Sequence, residues 1–194
     1  MSARLILHVR DPAFVPASVA DMEQVLLQVG LIGKAWGDSK QQRYLIGERF
    51  LQLVTFLGCA PAIELEPSAN GNTEFCHVGI SDIYPAPRFM ADTQGVLPRC
   101  PHCRKRYADW QFAIQSWQID LAYRTQCPAC QRSLSPMELD WCQSAGIGHF
   151  FVSIYNIYPR EAIPTEALLL ALRKATDQTW DYFYIRESGE LEGD

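Results

Sequence analysis

The sequence predicts an α+β fold: a mixed or antiparallel sheet with a helix layer, interrupted by one inserted module. Three observations carry that expectation. Short strand-like apolar runs alternate with two segments of helical periodicity, one near each end of the chain. An apolar fraction of 48% with 20% charged residues suits an ordinary globular protein. At 194 residues the chain can bury roughly 70% of its unfolded surface and so build a real core. The inserted module is marked by a change of character at residues 97–134. Six basic residues there (Arg99, Arg104, Lys105, Arg106, Arg124, Arg132) face only Asp109 and Asp120, a local charge of +4. The whole chain carries −5, so the remainder carries −9.

Residues 5–9 read as a short buried strand, followed by a loop marked by Pro12 and Pro16. Ser18 is a good N-cap, with Asp21 as a shorter stand-in for the usual Glu of a capping box. Val19, Met22, Val25, Leu26 and Val29 then recur at helical spacing, and Gly30 and Gly33 end the helix. Gly37, Asp38 and Ser39 form a turn. Residues 43–57 suggest a hairpin bent at Gly47 and Glu48, residues 62–66 a further short strand, and 74–84 another strand stopped by Pro85 and Pro87. Beyond the basic segment, Ser135 and Pro136 open a short helix toward Cys142. A strand at 150–158, a helix at 165–175 with Leu168, Leu169 and Leu172 on its core face, and a strand at 180–185 close the fold. Residues 187–194 read as an acidic, flexible tail.

One internal echo links the two halves. Residues 78–85 and 152–159 share five identities in eight and both leave through an Ile-Tyr-Pro corner. The echo is read either as a structural repeat or as shared turn chemistry. A repeat would make the basic segment an insertion between related strands. The expected organisation is therefore a single body of residues 1–96 and 135–186, an inserted module at 97–134, and the tail.

The apolar run at 5–9 is too short for a signal-peptide core. The longest apolar stretch, 50–63, is broken by Gln52, Thr55, Gly58 and Pro61 and falls short of the ~20 residues a span needs. The expected location is the cytoplasm, without a membrane partner. In that reducing setting seven cysteines, an odd number, argue for metal or redox chemistry over a disulfide framework.

Cys100-Pro101-His102-Cys103 and Cys127-Pro128-Ala129-Cys130 are two turns of identical spacing. Together they supply four thiolates for the tetrahedral shell that zinc prefers, and four cysteines close that shell to water, so the expected cofactor is one structural Zn2+. Thioredoxin-like redox sites present a single such motif at a helix start, not two prolyl turns. The pattern resembles the zinc-ribbon class over about residues 99–132. That resemblance implies a knuckle–hairpin–knuckle fold and no particular activity. The 23-residue spacer would hold the hairpin, with strands near 110–114 and 118–123.

The basic residues, with Tyr107, Trp110 and Trp117 nearby, are suitable material for nucleic acid. They equally offset the net −2 of a zinc tetrathiolate, and the acidic remainder opposes a polyanion. The leading expectation is a binding or adaptor protein for another protein, with a nucleic-acid accessory role as the alternative. An enzyme is the third reading. The echo places His77 and His149 on the same face of their strands, where Glu64 or Glu66 could complete a metal or acid–base site if those strands were neighbours. His8 reads as a core or edge histidine, and Cys59, Cys76 and Cys142 as inert packed thiols. Phosphate-binding glycine loops and a nucleophile-elbow serine are absent from the sequence.

Overall fold

The computed structural model describes residues 3–37, 42–57, 63–67, 74–92, 95–158 and 160–186. In chain order the elements are β1 (Ala3–Val9), α1 (Val19–Val29), β2 (Ile32–Ala35), β3 (Arg43–Ile46), α2 (Phe50–Leu53), β4 (Val54–Phe56), β5 (His77–Ile80) and β6 (Arg88–Ala91). They continue with α3 (Trp110–Ile119), β7 (Thr125–Gln126), β8 (Ser133–Leu134), a 3-10 turn at Pro136–Glu138, β9 (Ala145–Gly148), β10 (Phe151–Ile157), β11 (Ala162–Pro164), α4 (Glu166–Thr176) and β12 (Trp180–Arg186). The α+β expectation holds, and the sheet is antiparallel at every pairing: six strands in the order β12-β1-β10-β5-β3-β2.

The period-2 alternation of strands divides this sheet into two faces. Leu5, Leu7, Val152, Ile154, Val78 and Ile80 point to one face, where they share the main core with Leu26 of α1 and Leu168 and Leu172 of α4. Ile6, Phe151, Phe183 and Ile185 point to the other and form a smaller core with Tyr84 and Met90. That second face is where β6 and β9, a separate two-stranded pair, lie against the sheet. Both helices begin as their sequences dictate. The Ser18 hydroxyl accepts the Asp21 N–H at 3.0 Å and donates to its carboxylate at 2.7 Å, and the Thr165 hydroxyl accepts from Leu168. Gly30 closes α1 at φ 82, a left-handed turn that any Cβ would strain.

A third cluster of buried residues lies apart from these two. Cys100, Cys127, Tyr107, Ala113, Ile114, Trp117 and Leu134 pack together, with Leu139, Trp141, Ala145 and Ile147 from beyond residue 134. Trp117 is fully buried there. The basic segment therefore shares this cluster with residues outside 97–134, from Phe89 and Ala91 of β6 and from Leu139 to Ile147.

Several local expectations fail for identifiable reasons. Residues 43–57 are not a hairpin: β3 pairs with β2 and β5, while β4 pairs with β11. The chain at Gly47 is tied to the end of α1, with Gly47 N–H donating to Leu31 C=O and Arg49 N–H to Gly30 C=O. A Cβ at Gly47 would collide with the Gly30 carbonyl. Held there, the chain turns through α2 and buries Phe50 and Leu53 in the main core. Residues 63–67 form no strand, although the Glu64 C=O accepts the Cys76 N–H at 2.6 Å. The helix expected after Ser135 is a single 3-10 turn with a full capping box between Ser135 and Glu138. Most of the turn at 37–39, together with Cys59 and the tail at 187–194, lies outside the described residues. The echo resolves into neighbours: β5 and β10 pair antiparallel, with Gly79 opposite Ser153, two positions that the echo itself aligns.

Candidate metal centre

Each Cys-Pro-x-Cys turn is built the same way. In the first, the Cys100 N–H donates to the Lys105 C=O at 2.9 Å, and the Arg104 N–H returns to the Cys100 C=O at 3.0 Å. In the second, Cys127 N–H reaches Arg132 C=O at 2.9 Å, and Gln131 N–H reaches Cys127 C=O at 2.8 Å. Arg104 (φ 60) and Gln131 (φ 61) both take the left-handed conformation that reverses the chain after the second cysteine. Around each turn the flanking residues pair: Arg99 bridges to Arg106, and β7 pairs with β8. These are two knuckles, each at the tip of its own short ladder.

The segment between them corrects the ribbon expectation. Residues 110–119 form the helix α3 and not a hairpin strand. Ala113, Ile114 and Trp117 fall at i, i+1 and i+4, one helical face, and all three are buried in the module core. The Tyr107 hydroxyl and the Thr125 hydroxyl, 2.7 Å apart, tie the two knuckles together across the spacer.

The four sulfurs converge. Cys100, Cys103, Cys127 and Cys130 offer Sγ atoms that all lie within 4.8 Å of one another. Cys100 to Cys130 is 3.8 Å and Cys103 to Cys127 is 3.7 Å. Tetrahedral zinc with bonds of about 2.3 Å would set its sulfurs about 3.8 Å apart, so these edges fit that geometry. A disulfide needs sulfurs about 2.05 Å apart, and the described cysteines form none. Cys100 and Cys127 are buried, while Cys103 and Cys130 are half-buried, so the cluster sits at the edge of its core. Burial opposes ionisation of Cys100, but the backbone N–H groups of Cys103 and His102 and the adjacent thiols outweigh it and bring its pKa down to about 7. At Cys130 the backbone N–H of Arg132 favours the thiolate, but burial and the three neighbouring thiols outweigh it and push the group up to about 11. His102 is exposed, its Nδ1 3.3 Å from the Arg132 guanidinium.

Compared with protein-family models, curated proteins and solved structures, the chain matches none.

The basic residues around the cluster are partly engaged. Arg104 pairs with Asp140 at 2.6 Å and Arg124 with Glu138 at 3.1 Å, both partners lying beyond residue 134. These ion pairs link the module to the following segment.

His77 and His149 are not brought together. His77 is buried opposite Tyr155, stacked on its ring at 4.8 Å, with Nδ1 bonded to the Phe75 C=O at 2.8 Å. His149 lies before the other end of the same strand pair, its Nδ1 2.7 Å from the Tyr84 C=O. Four strand steps, about 13 Å at about 3.3 Å per residue, separate Phe151 from Tyr155, the residue opposite His77, and His149 lies two residues before Phe151. Glu64 and Glu66 are exposed and complete no site with them. Cys76 is fully buried, and burial pushes its thiol up to about 12, as expected for an inert core cysteine. Cys142 departs from that expectation: it is exposed, in a turn beside Asp140. Nothing in the local sequence marks it, because the two left-handed residues of that turn are Cys142 and Gln143, not the usual Asn and Gly. Among the described residues no helix is long and apolar enough to cross a membrane.

Proposed function

We propose that this chain is a non-enzymatic binding or adaptor protein of the cytoplasm, in which an inserted module at 97–134 is held by one structural zinc ion and presents a surface to another protein. The observation that carries the reading is the closed set of four convergent cysteine sulfurs, with edges of 3.7 and 3.8 Å. A shell of four thiolates leaves no position for a substrate or an activated water, so zinc here contributes fold and not chemistry. On this reading the main core on the helix side of the sheet, which holds none of the four cysteines, stands without the metal.

A protein partner is favoured over nucleic acid because the module's cations are partly consumed: Arg104 and Arg124 are in ion pairs and Arg132 faces His102. The module also exposes apolar side chains on α3 and just beyond it, Phe112, Ile119 and Leu121, which suit a protein surface better than a phosphate backbone. Chemical cross-linking in the host, comparing the native chain with the double variant Phe112→Asp and Ile119→Asp, tests this. Loss of one specific cross-linked protein in the variant supports the reading. An unchanged cross-linking pattern, or binding to single-stranded nucleic acid that falls steeply with added salt, contradicts it.

A further inference from the structure

On the second face of the sheet, Ile6, Phe151 and Phe183 pack with Met90 of β6. Across β5, β3 and β2 the same face carries a different set of side chains. Arg43 stands directly opposite Gly79, Gly79 opposite Ser153, and Ser153 opposite Ile6, so the four positions share that face. Two residues along, His77 pairs with Tyr155.

The groups here are stacked in layers. His77 is buried and lies parallel to Tyr155, with ring centres 4.8 Å apart and planes within 5°. Tyr155 takes this position because residue 79 is glycine: a Cβ there would come within 2.7 Å of the tyrosine ring. Trp36, just after β2, stands edge-on to the buried Phe75 at 4.8 Å and tilted against His77 at 5.4 Å. His77 Nδ1 is 2.8 Å from the Phe75 C=O, so Nδ1 carries the proton and Nε2 is left as an acceptor. Arg43 meets that acceptor through one guanidinium nitrogen at 3.4 Å. Its guanidinium carbon lies 5.2 Å from the centre of the Tyr155 ring, and that of Arg4 lies 5.5 Å from the same centre.

Arg43 differs from the paired arginines of this chain. Arg10, Arg104, Arg124 and Arg186 each hold a carboxylate. Among the described residues no carboxylate pairs with Arg43, although the chain outside 97–134 carries −9. Its guanidinium is also fixed in advance by the imidazole and the phenol ring, which lowers the entropy cost of engaging a ligand. Arg43, Trp36 and Tyr155 are half-exposed, so a partner can reach both the cation and the rings. A guanidinium fork matches a carboxylate in two parallel hydrogen bonds, and aromatic rings pack edge-to-face or offset. One unanswered fork in an acidic body suits a single carboxylate and opposes a polyanion.

We propose that this part of the sheet face docks a segment of another protein that presents a carboxylate side chain beside an aromatic one. The carboxylate takes the Arg43 fork and the ring packs on Trp36. The proposal goes beyond the zinc-module reading and stands apart from it, since none of these residues belongs to 97–134.

Amide and indole N–H NMR of the full, zinc-loaded chain tests it, with acetyl-Gly-Phe-Glu-Gly-amide as the probe. The controls replace Glu by Gln or Phe by Ala, and a single-stranded oligothymidylate is titrated separately. The probe should saturably shift the Trp36 indole and the amides of Arg43, Gly79 and Tyr155, and bind at least about tenfold tighter than either control. Arg43→Gln should erase the preference for Glu over Gln and keep the preference for Phe over Ala. Trp36→Ala should do the reverse. Those opposite losses separate recognition from general damage to the fold. The Phe112→Asp and Ile119→Asp double variant should bind the probe as the native chain does, so this result stands or falls separately from the module's. Absence of saturable shifts, equal affinity for the three peptides, tighter binding of the oligonucleotide, or loss of binding in the module variant would overturn the proposal.

Discussion

Each cysteine of the knuckles is positioned by a turn that depends on its neighbours. Cys103→Ser or Cys127→Ser leaves both turns sterically possible but removes one thiolate from the cluster. Either variant should release the metal, and the module should lose its order while the body keeps a cooperative transition. Calorimetry of wild type and variant checks this: one transition should survive in the variant, and loss of all structure would make the module integral to the body. His8 carries a separate expectation. Burial between Phe183, 5.4 Å away by ring centroid, and the Ile147 carbonyl lowers its folded pKa below 6.5. A depressed histidine binds fewer protons in the folded than in the unfolded state. Its contribution to stability is therefore complete above about pH 6.5 and is lost as pH falls from there through the folded value. Thermal melts of wild type and His8→Phe between pH 7 and pH 5, with the two curves converging toward acid, would bear this out; parallel curves would not.

At the level of elements, α3 is where sequence reasoning and structure part most clearly. The buried residues Ala113, Ile114 and Trp117 share one helical face, and that signal stood in the sequence. The likeness of the flanking knuckles to a ribbon masked it, because a ribbon places a hairpin between them. The distinction is testable at Gln115, an exposed position in the middle of α3. Gln115→Pro should cost the module about 3 kcal/mol or more by removing an intrahelical bond and crowding the preceding turn. A negligible effect on metal retention and module melting would mean that this stretch is not helical. Trp117, fully buried beneath the cysteines, should cost about 3–5 kcal/mol on replacement by alanine, read as a lower module transition at constant zinc content. The main helices were legible for the opposite reason. Ser18 and Thr165 are capping residues directly before apolar stripes of period 3.6, and local and tertiary signals agree there. Residues 43–57 form no hairpin because their strand-like composition is satisfied by two different partners, β5 and β11, that are distant in sequence.

For the molecule as a whole, the antiparallel sheet separates two tasks. One face carries the helices and the main core, and the other receives β6, β9 and the segment leading from the cysteine cluster. The cysteine cluster was fully legible, since its spacing alone brings four thiols together once two turns meet. The cavity between the ends of β1 and β12 and residues 137–147 was not, because His8, Asp181, Asp140 and Gln143 are far apart in the chain and join only through the pairing of β1 with β12 and the placement of β9. His77 and His149 show the converse: the echo matched their strands correctly, but antiparallel pairing sends the two histidines to opposite ends. On this arrangement the module's metal should be separable from the body. Prolonged chelation should abolish the module's transition and leave the body's unchanged, whereas a shift of both by the same amount would indicate one cooperative unit.

The central claim is the metal shell itself, and X-ray absorption at the zinc edge on protein purified without added metal tests it most directly. The account predicts one zinc per chain with four sulfur neighbours at about 2.3 Å and no nitrogen or oxygen. A mixed shell, a different metal in stoichiometric amount, or metal-free protein with intact knuckles would contradict it.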